Sequence, residues 1–241
     1  MHRSLRTLSL ALSLGALPAF VAAFVSTRAH ADEARRSIPI VFQIADSDGK
    51  PVADDTFVAS ELEHANTIYR ELGIELVDVS HDKLAARHAR IVERRDRDAL
   101  GALLRPGVIN VFVVGCLMDV DEPGRERRGV HWHVRVEARG SSAREPSNDK
   151  RRHFVILSAI SGPYVLAHEL GHFLGNPEHS DVPGNLMSYQ HTEAVPVLDM
   201  AQRERVAHTV AALFASGELA LPGSARRKKR PPSSPSGVPP H

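Results

Sequence analysis

The sequence predicts an α/β (α+β) protein, in which a sheet of about five strands carries helices packed on it. Short apolar runs alternate along the chain with segments whose apolar residues recur at helical spacing. The segment 108–117 is almost continuously apolar, as a central strand buried on both faces would be. In 130–136, three valines and a tryptophan alternate with His131, His133 and Arg135, which predicts a strand with one buried and one wet face.

The elements before the central strand follow from local patterns. The run 38–44 is apolar and precedes the turn sequence at 46–49, which predicts a strand and a turn. Apolar residues at helical spacing over 56–72, followed by Gly73, predict an amphipathic helix. The other elements predicted before the motif at 162–189 are a helix at 94–104 and strands at 74–79, 108–117, 129–136 and 153–159.

The segment 162–189 carries the clearest chemical signal. In His168-Glu169-x-x-His172, the spacing of four puts both imidazoles on one face of a helix, where they can bind one metal ion. Glu169 then lies about 100° round the helix, within reach of water on that ion. The spacing suits zinc, although two histidines on a surface helix fall four apart by chance in some proteins.

The flanks of this motif favour the helix that it requires. Ser161 is a good N-cap and Pro163 suits a first turn, while Gly175 can end the helix in a left-handed conformation, which predicts a helix over 162–174. The chain then turns back, and 176–179 can bring a third ligand to the ion. A fourth position left to water or substrate is typical of a catalytic zinc site.

These residues resemble the signature of the metzincin clan of zinc endopeptidases, His-Glu-x-x-His-x-x-Gly-x-x-His followed by a tight turn that carries a methionine. The resemblance implies a mixed sheet with an antiparallel edge strand, an active-site helix, the methionine turn and a C-terminal helix. Four positions match the signature in register: His168, Glu169, His172 and Gly175.

The third metal ligand is the point where the sequence departs from this pattern. The last His of the signature comes three residues after the Gly, and here Glu178 holds that place, with His179 one residue later. We expect His179 to be the ligand, because a loop can absorb one residue and imidazole is the clan's usual donor. Glu178 is the alternative, since a carboxylate is an acceptable zinc ligand.

The resemblance also implies roles for residues beyond the ligands. Met187 would form an apolar floor under the metal, and Tyr189, in the Met-x-Tyr sequence of astacin-like and serralysin-like branches, would stabilise the oxyanion. An ordinary loop residue is the alternative for Tyr189. The strand 130–136 would be the antiparallel edge that pairs with an extended substrate. His131 and His133 on that strand are either a second metal site or exposed edge residues.

The chain ends carry their own signals. Residues 1–31 are typical of a secretory signal peptide, with arginines before an apolar run and a small-x-small sequence at Ala29–Ala31. We expect cleavage after Ala31, a secreted or periplasmic protein and no stable membrane insertion, with an uncleaved anchor as the alternative. Asp199 predicts a helix N-cap, followed by a helix to about Ala215. The basic, proline-rich segment 222–241 is predicted to be disordered, which leaves 32–221 as the catalytic domain.

Composition limits the other possibilities. Cys116 is the single cysteine, so no internal disulfide is expected; it is predicted to be an inert buried residue, with a thiol that masks the zinc as the alternative. The segment 32–221 contains all 29 acidic residues, and the basic run 226–230 lies in the tail, so nothing in the domain predicts nucleic-acid binding.

Together these patterns predict an exported zinc endopeptidase that acts as a monomer on a peptide or protein substrate. Zn²⁺ is the predicted cofactor, bound by His168, His172 and His179, with Glu169 as general base and Tyr189 as a second catalytic residue. Two other classes remain open: a catalytically idle binding module that holds zinc, and a zinc hydrolase that acts on a substrate other than a peptide.

Overall fold

The computed structural model describes residues 35–136, 150–190, 192 and 194–221. The predicted signal peptide at 1–31 and the predicted tail at 222–241 lie outside these residues. Across the part of the chain that is described, no helix combines the length and hydropathy needed to cross a membrane.

The described residues form eight strands and four α-helices. The strands are β1 (Arg36–Ser47), β2 (Lys50–Pro51), β3 (Ile74–Leu84), β4 (Arg90–Ile91), β5 (Ile109–Val114), β6 (Cys116–Leu117), β7 (Gly129–Val136) and β8 (Lys150–Ser158). The helices are α1 (Asp55–Tyr69), α2 (Arg94–Ala99), α3 (Val165–Phe173) and α4 (Met200–Ala215).

Five long strands make the main sheet, in the spatial order β3-β1-β5-β8-β7. β3, β1, β5 and β8 are parallel, whereas β7 pairs with β8 in the antiparallel sense at the edge. β2 adds a short hairpin to the end of β1, and β4 pairs with β6 in a separate small sheet. The predicted α/β class, the mixed sheet of about five strands and the antiparallel edge strand are therefore confirmed.

The central strand β5 is buried along its whole length, as its apolar run predicts. Val111 and Val113 face a core built with α1, α3 and α4, whereas Phe112 and Val114 face a second core on the other side of the sheet. The predicted strand at 108–117 is in fact two elements, because β5 ends at Val114 and Cys116–Leu117 pairs with β4 instead.

Several predicted boundaries differ from those observed. β1 and β3 extend beyond the predicted 38–44 and 74–79, because the two strands pair in parallel over ten register positions. The predicted helix at 94–104 is α-helical only to Ala99 and continues as a 3₁₀ turn, Leu100–Leu103. The C-terminal helix is confirmed: Asp199 accepts a hydrogen bond from the Gln202 N–H in a capping box, and α4 ends at Ala215.

Candidate metal centre and cleft

The helix α3, which carries the His-Glu-x-x-His motif, is capped by another helix. The predicted N-cap, Ser161, is wrong: α3 begins at Val165, after Tyr164 in a left-handed conformation with φ 65°. The buried carboxylate of Glu61 on α1 accepts hydrogen bonds from the Ser161 hydroxyl and the Leu166 N–H, both at 3.2 Å. Burial raises the pKa of Glu61, although these two hydrogen bonds act to lower it. A residue distant in the sequence therefore accepts the hydrogen bonds at the start of α3 that a local N-cap would otherwise accept.

The far end of α3 behaves as the sequence predicts. Gly175 has a φ of 99°, so the chain leaves the helix through a conformation that favours glycine. A Cβ at this position would also lie 2.3 Å from the hydroxyl oxygen of Thr209 on α4. The chain then folds back beside α3 and brings the next histidine towards the helix.

His168 and His172 on α3 and His179 in the following loop form a group that can hold a metal ion, with donor atoms within 4.8 Å of one another. The Nδ1 of His168 lies 2.7 Å from the Leu186 carbonyl oxygen, and the Nδ1 of His172 lies 2.7 Å from that of Asn176. A carbonyl oxygen only accepts, so each Nδ1 must donate a proton. Each Nε2 therefore keeps its lone pair for a metal.

The spacing of the nitrogen atoms fits zinc. The Nε2 atoms of His172 and His179 are 3.2 Å apart, and two nitrogens on one tetrahedral zinc ion, at about 2.0 to 2.1 Å each, lie about 3.4 Å apart. Burial lowers the pKa of both imidazoles, and the nearby charge of Arg127 lowers that of His179 further, so both are held neutral. Neutral imidazole is the form that binds metal. Glu178 is exposed and does not belong to this group.

Met187 lies beneath α3, fully buried, where the sequence predicts a floor under the ligands. Gly171 allows this approach, because a Cβ at that position would lie 2.4 Å from the Met187 sulfur. The Met187 N–H donates to the Asn185 side chain, and Asn185 exchanges two amide hydrogen bonds with Gln202 on α4. The methionine turn is thus held between α3 and α4.

Glu169 is only 8% exposed and lies against β7. Its carboxylate accepts the main-chain N–H of His131, and burial raises its pKa to about 8, although this N–H and the charges of Arg127 and Arg97 act in the opposite direction. A Cβ at Gly129 would lie 2.9 Å from the Glu169 Cγ. Glycine at the start of β7 therefore lets the edge strand pack directly against the carboxylate.

Tyr189 stacks on the metal-site histidines. Its ring centroid lies 4.2 Å from that of His179, with an angle of 28° between the rings, and the residue is 59% exposed. The guanidinium of Arg127 donates a hydrogen bond to the Tyr189 oxygen. Arg127 is fixed in turn, since its Nε donates to the Asp119 carboxylate at 2.6 Å and Asp119 is buried. Charge-assisted bonds of this kind hold a side chain in one position.

Arg127 and Asp119 are residues of the site that the sequence analysis missed. Arg127 falls in the run Arg-Glu-Arg-Arg, in which nothing singles out one arginine, and Asp119 lies eight residues earlier in a loop. Their pairing depends on how the chain between β6 and β7 folds back on itself. No motif or periodicity marks that fold.

The site opens into two adjoining cavities of about 240 and 390 Å³, which share the side chains of Arg127, Glu169 and Tyr189. The larger cavity runs along β7 past His131 and His133 to His172 and His179. A cleft walled by an edge strand on one side and by the metal-binding histidines on the other can hold an extended chain.

Cys116 lies away from this cleft, on β6. It is half-buried and not fully buried as predicted, and burial raises the pKa of its thiol, with the Glu126 carboxylate beside it. Among the described residues, the groups that can hold a metal ion contain histidines and no cysteine. The thiol therefore has no contact there that would mask the metal.

No protein-family model matches this chain, and no curated protein matches it by sequence. Among solved structures, the chain is similar to metalloproteinase-II from Bacteroides fragilis, with 15% identity and a TM-score of 0.48, over 73% of this chain and 53% of that one. It therefore spans about half the length of that protein. It is also similar to archaemetzincin from Methanopyrus kandleri, with 15% identity and a TM-score of 0.42, over 75% of this chain and 98% of that one.

Proposed function

We propose that the protein is an exported zinc endopeptidase. The observation that carries this proposal is a group of three imidazoles beside one buried carboxylate. His168, His172 and His179 lie close enough to share a metal ion next to Glu169. Main-chain carbonyl oxygens orient the rings of His168 and His172. Three protein nitrogens with a position left for water or substrate are typical of catalytic zinc, whereas structural zinc has four protein ligands.

In this proposal, Glu169 acts as the general base. When bound, zinc polarises the scissile carbonyl and lowers the pKa of the attacking water. The Glu169 carboxylate takes the proton of that water and passes it to the leaving amine. Glu169 lines both cavities together with the metal-binding histidines, which supports the role. The His131 N–H fixes its orientation.

In the same proposal, Arg127 and Tyr189 stabilise the negative charge that develops on the substrate oxygen. The Tyr189 oxygen accepts from Arg127, so the hydroxyl proton is left to donate elsewhere. Arg127 is held by the buried Asp119 and keeps its positive charge within the cleft. Donors fixed in advance around a developing oxyanion account for a large part of catalysis in hydrolases.

The edge strand supports a polypeptide as the substrate. β7 borders the larger cavity, and a peptide laid along it would form main-chain hydrogen bonds at positions that Glu169 does not use. The two cavities adjoin at Glu169, which gives room for residues on both sides of a scissile bond. A small-molecule substrate would use little of this length.

A library of peptides blocked at both ends tests this function. The purified full chain should cleave internal bonds, lose this activity with a zinc chelator and regain it when zinc is added, with products identified by mass spectrometry. Zinc binding without cleavage of any peptide would instead support a binding module. Hydrolysis limited to small esters or amides would support a non-peptidase hydrolase. Export is tested separately, by the N-terminal sequence of protein recovered outside the cytoplasm, which we expect to begin at Asp32.

A further inference from the structure

A second group of histidines lies on the edge of the sheet. In the antiparallel register of β7 and β8, His133 faces His153 directly, and His131 lies two residues from His133. Residues that are directly opposite, or two apart, share one face of a β-ladder. The register therefore places all three imidazoles together. The pattern of β7 alone predicts the first two, but His153 joins them only through the pairing.

The three rings are close enough to share one ion. The donor atoms of His131, His133 and His153 all lie within 4.8 Å of one another. The Nε2 of His131 is 2.8 Å from the Nδ1 of His153, and the two would separate only to about 3.4 Å around a tetrahedral ion. The change in separation is therefore only about half an ångström.

A carboxylate orients one of these rings. The Nε2 of His153 lies 3.0 Å from the Glu218 carboxylate, so that nitrogen carries the proton and the Nδ1 lone pair points at His131. A metal-bound histidine that donates its other ring N–H to a carboxylate is a recurring arrangement around bound ions. On its other side, the His153 ring stacks on Phe173 at a centroid distance of 3.8 Å, which fixes its plane.

The group can be reached from solvent on two sides. His131 and His133 line the cavity of about 390 Å³ that His172 and His179 of the first group also line. His153 and Glu218 line another cavity, of about 280 Å³, on the side of Gly107 and Ser216. An ion therefore has an entry path, and solvent can supply a further ligand.

The register of β7 and β8 is not fixed by a short turn. β7 ends at residue 136 and β8 begins at residue 150, so the connection is much longer than the two-residue turns that fix the register of a hairpin. Side chains must then set the register of the strand that borders the cleft. His133 and His153 are directly opposite each other at the middle of this ladder.

We propose that His131, His133 and His153 bind a second divalent transition-metal ion, distinct from the ion held by His168, His172 and His179, and that this ion fastens β7 to β8. On binding, His131 moves its proton from Nε2 to Nδ1, so that both facing nitrogens donate lone pairs to the ion. The site does not require the proposed peptidase activity, since its ligands come from the sheet and not from α3.

Zinc content measures this proposal directly. The full chain, dialysed against zinc and then against metal-free buffer, should retain about two zinc ions per chain by elemental analysis. His133→Ala and His153→Gln should each retain about one, as should His179→Ala, while a combination of His133→Ala with His179→Ala should retain none. His208→Ala is the matched control, because this exposed histidine on α4 belongs to neither group, and it should keep both ions.

A second measurement tests whether the ion fastens β7 to β8. In the His179→Ala background, added zinc should raise the Tm and slow amide exchange in β7 and β8, and His133→Ala should abolish both effects. Two zinc ions retained by both His133→Ala and His153→Gln would overturn the proposal. So would a single ion in the wild type that only His179→Ala removes. A single ion that His133→Ala removes and His179→Ala keeps would support the second site and contradict the proposed function.

Discussion

The Nε2 atoms of His172 and His179 lie 3.2 Å apart, although one more residue separates them than in the metzincin pattern that the sequence resembles. The loop accommodates the extra residue through the contacts of Asn176. Its side chain is buried, where its oxygen accepts from Arg205 on α4, and its carbonyl oxygen accepts from His172. The loop is thus tied to both helices before it reaches His179, which leaves Glu178 facing solvent.

Replacement of His179 with Ala should release zinc from this site, because it removes one of three imidazole donors, and ligand loss is expected to weaken binding far more than the 10- to 100-fold typical of an outer partner. Glu178→Ala is the matched control next to it and should change the affinity little, since this side chain is exposed. Competition with a zinc chelator measures both. A loss of affinity in Glu178→Ala alone would assign the third ligand to the carboxylate.

Glu169→Gln should keep zinc and lose almost all peptide hydrolysis. The amide oxygen can still accept the His131 N–H, so the fold of the cleft is preserved, but an amide cannot take a proton from water. Elemental analysis and the turnover of an internally cleaved peptide are the two measurements. Loss of zinc together with activity would mean that the carboxylate serves the metal and not the proton.

The sequence predicts the elements of this protein better than the contacts between them. The ligand histidines and Glu169 follow from a helical spacing of four, and the burial of β5 follows from an unbroken apolar run, both of which are local patterns. The Ser161 cap fails because Glu61, about a hundred residues earlier in the chain, supplies the acceptor instead. A contact of that range leaves no trace in the local sequence.

The same distinction explains what is missing from the predicted site. Arg127 enters the cleft only because Asp119 pairs with it, and His153 joins His131 only because β7 and β8 take one register of several that their apolar patterns allow. A one-residue slip would send His153 to the other face of the sheet. These contacts depend on the tertiary structure, and the sequence pattern is compatible with other pairings and registers.

Tyr189→Phe should lower turnover by about 10- to 1000-fold, the effect expected from loss of one donor to the oxyanion. Zinc content should not change, since the ring that stacks on His179 remains. Asp119→Asn tests the partner: Arg127 loses its charged anchor, so turnover should also fall while zinc is kept. Steady-state kinetics on one peptide resolves kcat from KM. Unchanged kcat in Tyr189→Phe would make Tyr189 an ordinary surface residue of the loop.

Gly171→Ala should destabilise the protein and weaken zinc binding together. Alanine is favoured over glycine within a helix by about 1 kcal/mol, so a helix with space at this position would become more stable. Here the new Cβ would lie 2.4 Å from the Met187 sulfur, within a fully buried contact. Overpacking of this kind costs about 1 to 3 kcal/mol, and it should exceed the gain in helix propensity.

Zinc affinity should fall in the same variant, because the carbonyl oxygen that orients His168 belongs to Leu186, the residue before Met187. If Met187 is displaced, that carbonyl moves too, and loss of an outer hydrogen bond of this kind weakens metal binding by about 10- to 100-fold. Gly162→Ala is the control, since its Cβ would meet only the tip of the Arg128 side chain at 3.3 Å. Thermal unfolding of the metal-free protein and chelator competition measure the two effects. A Gly171→Ala protein with a raised Tm and unchanged zinc affinity would show that Met187 does not position the ligands.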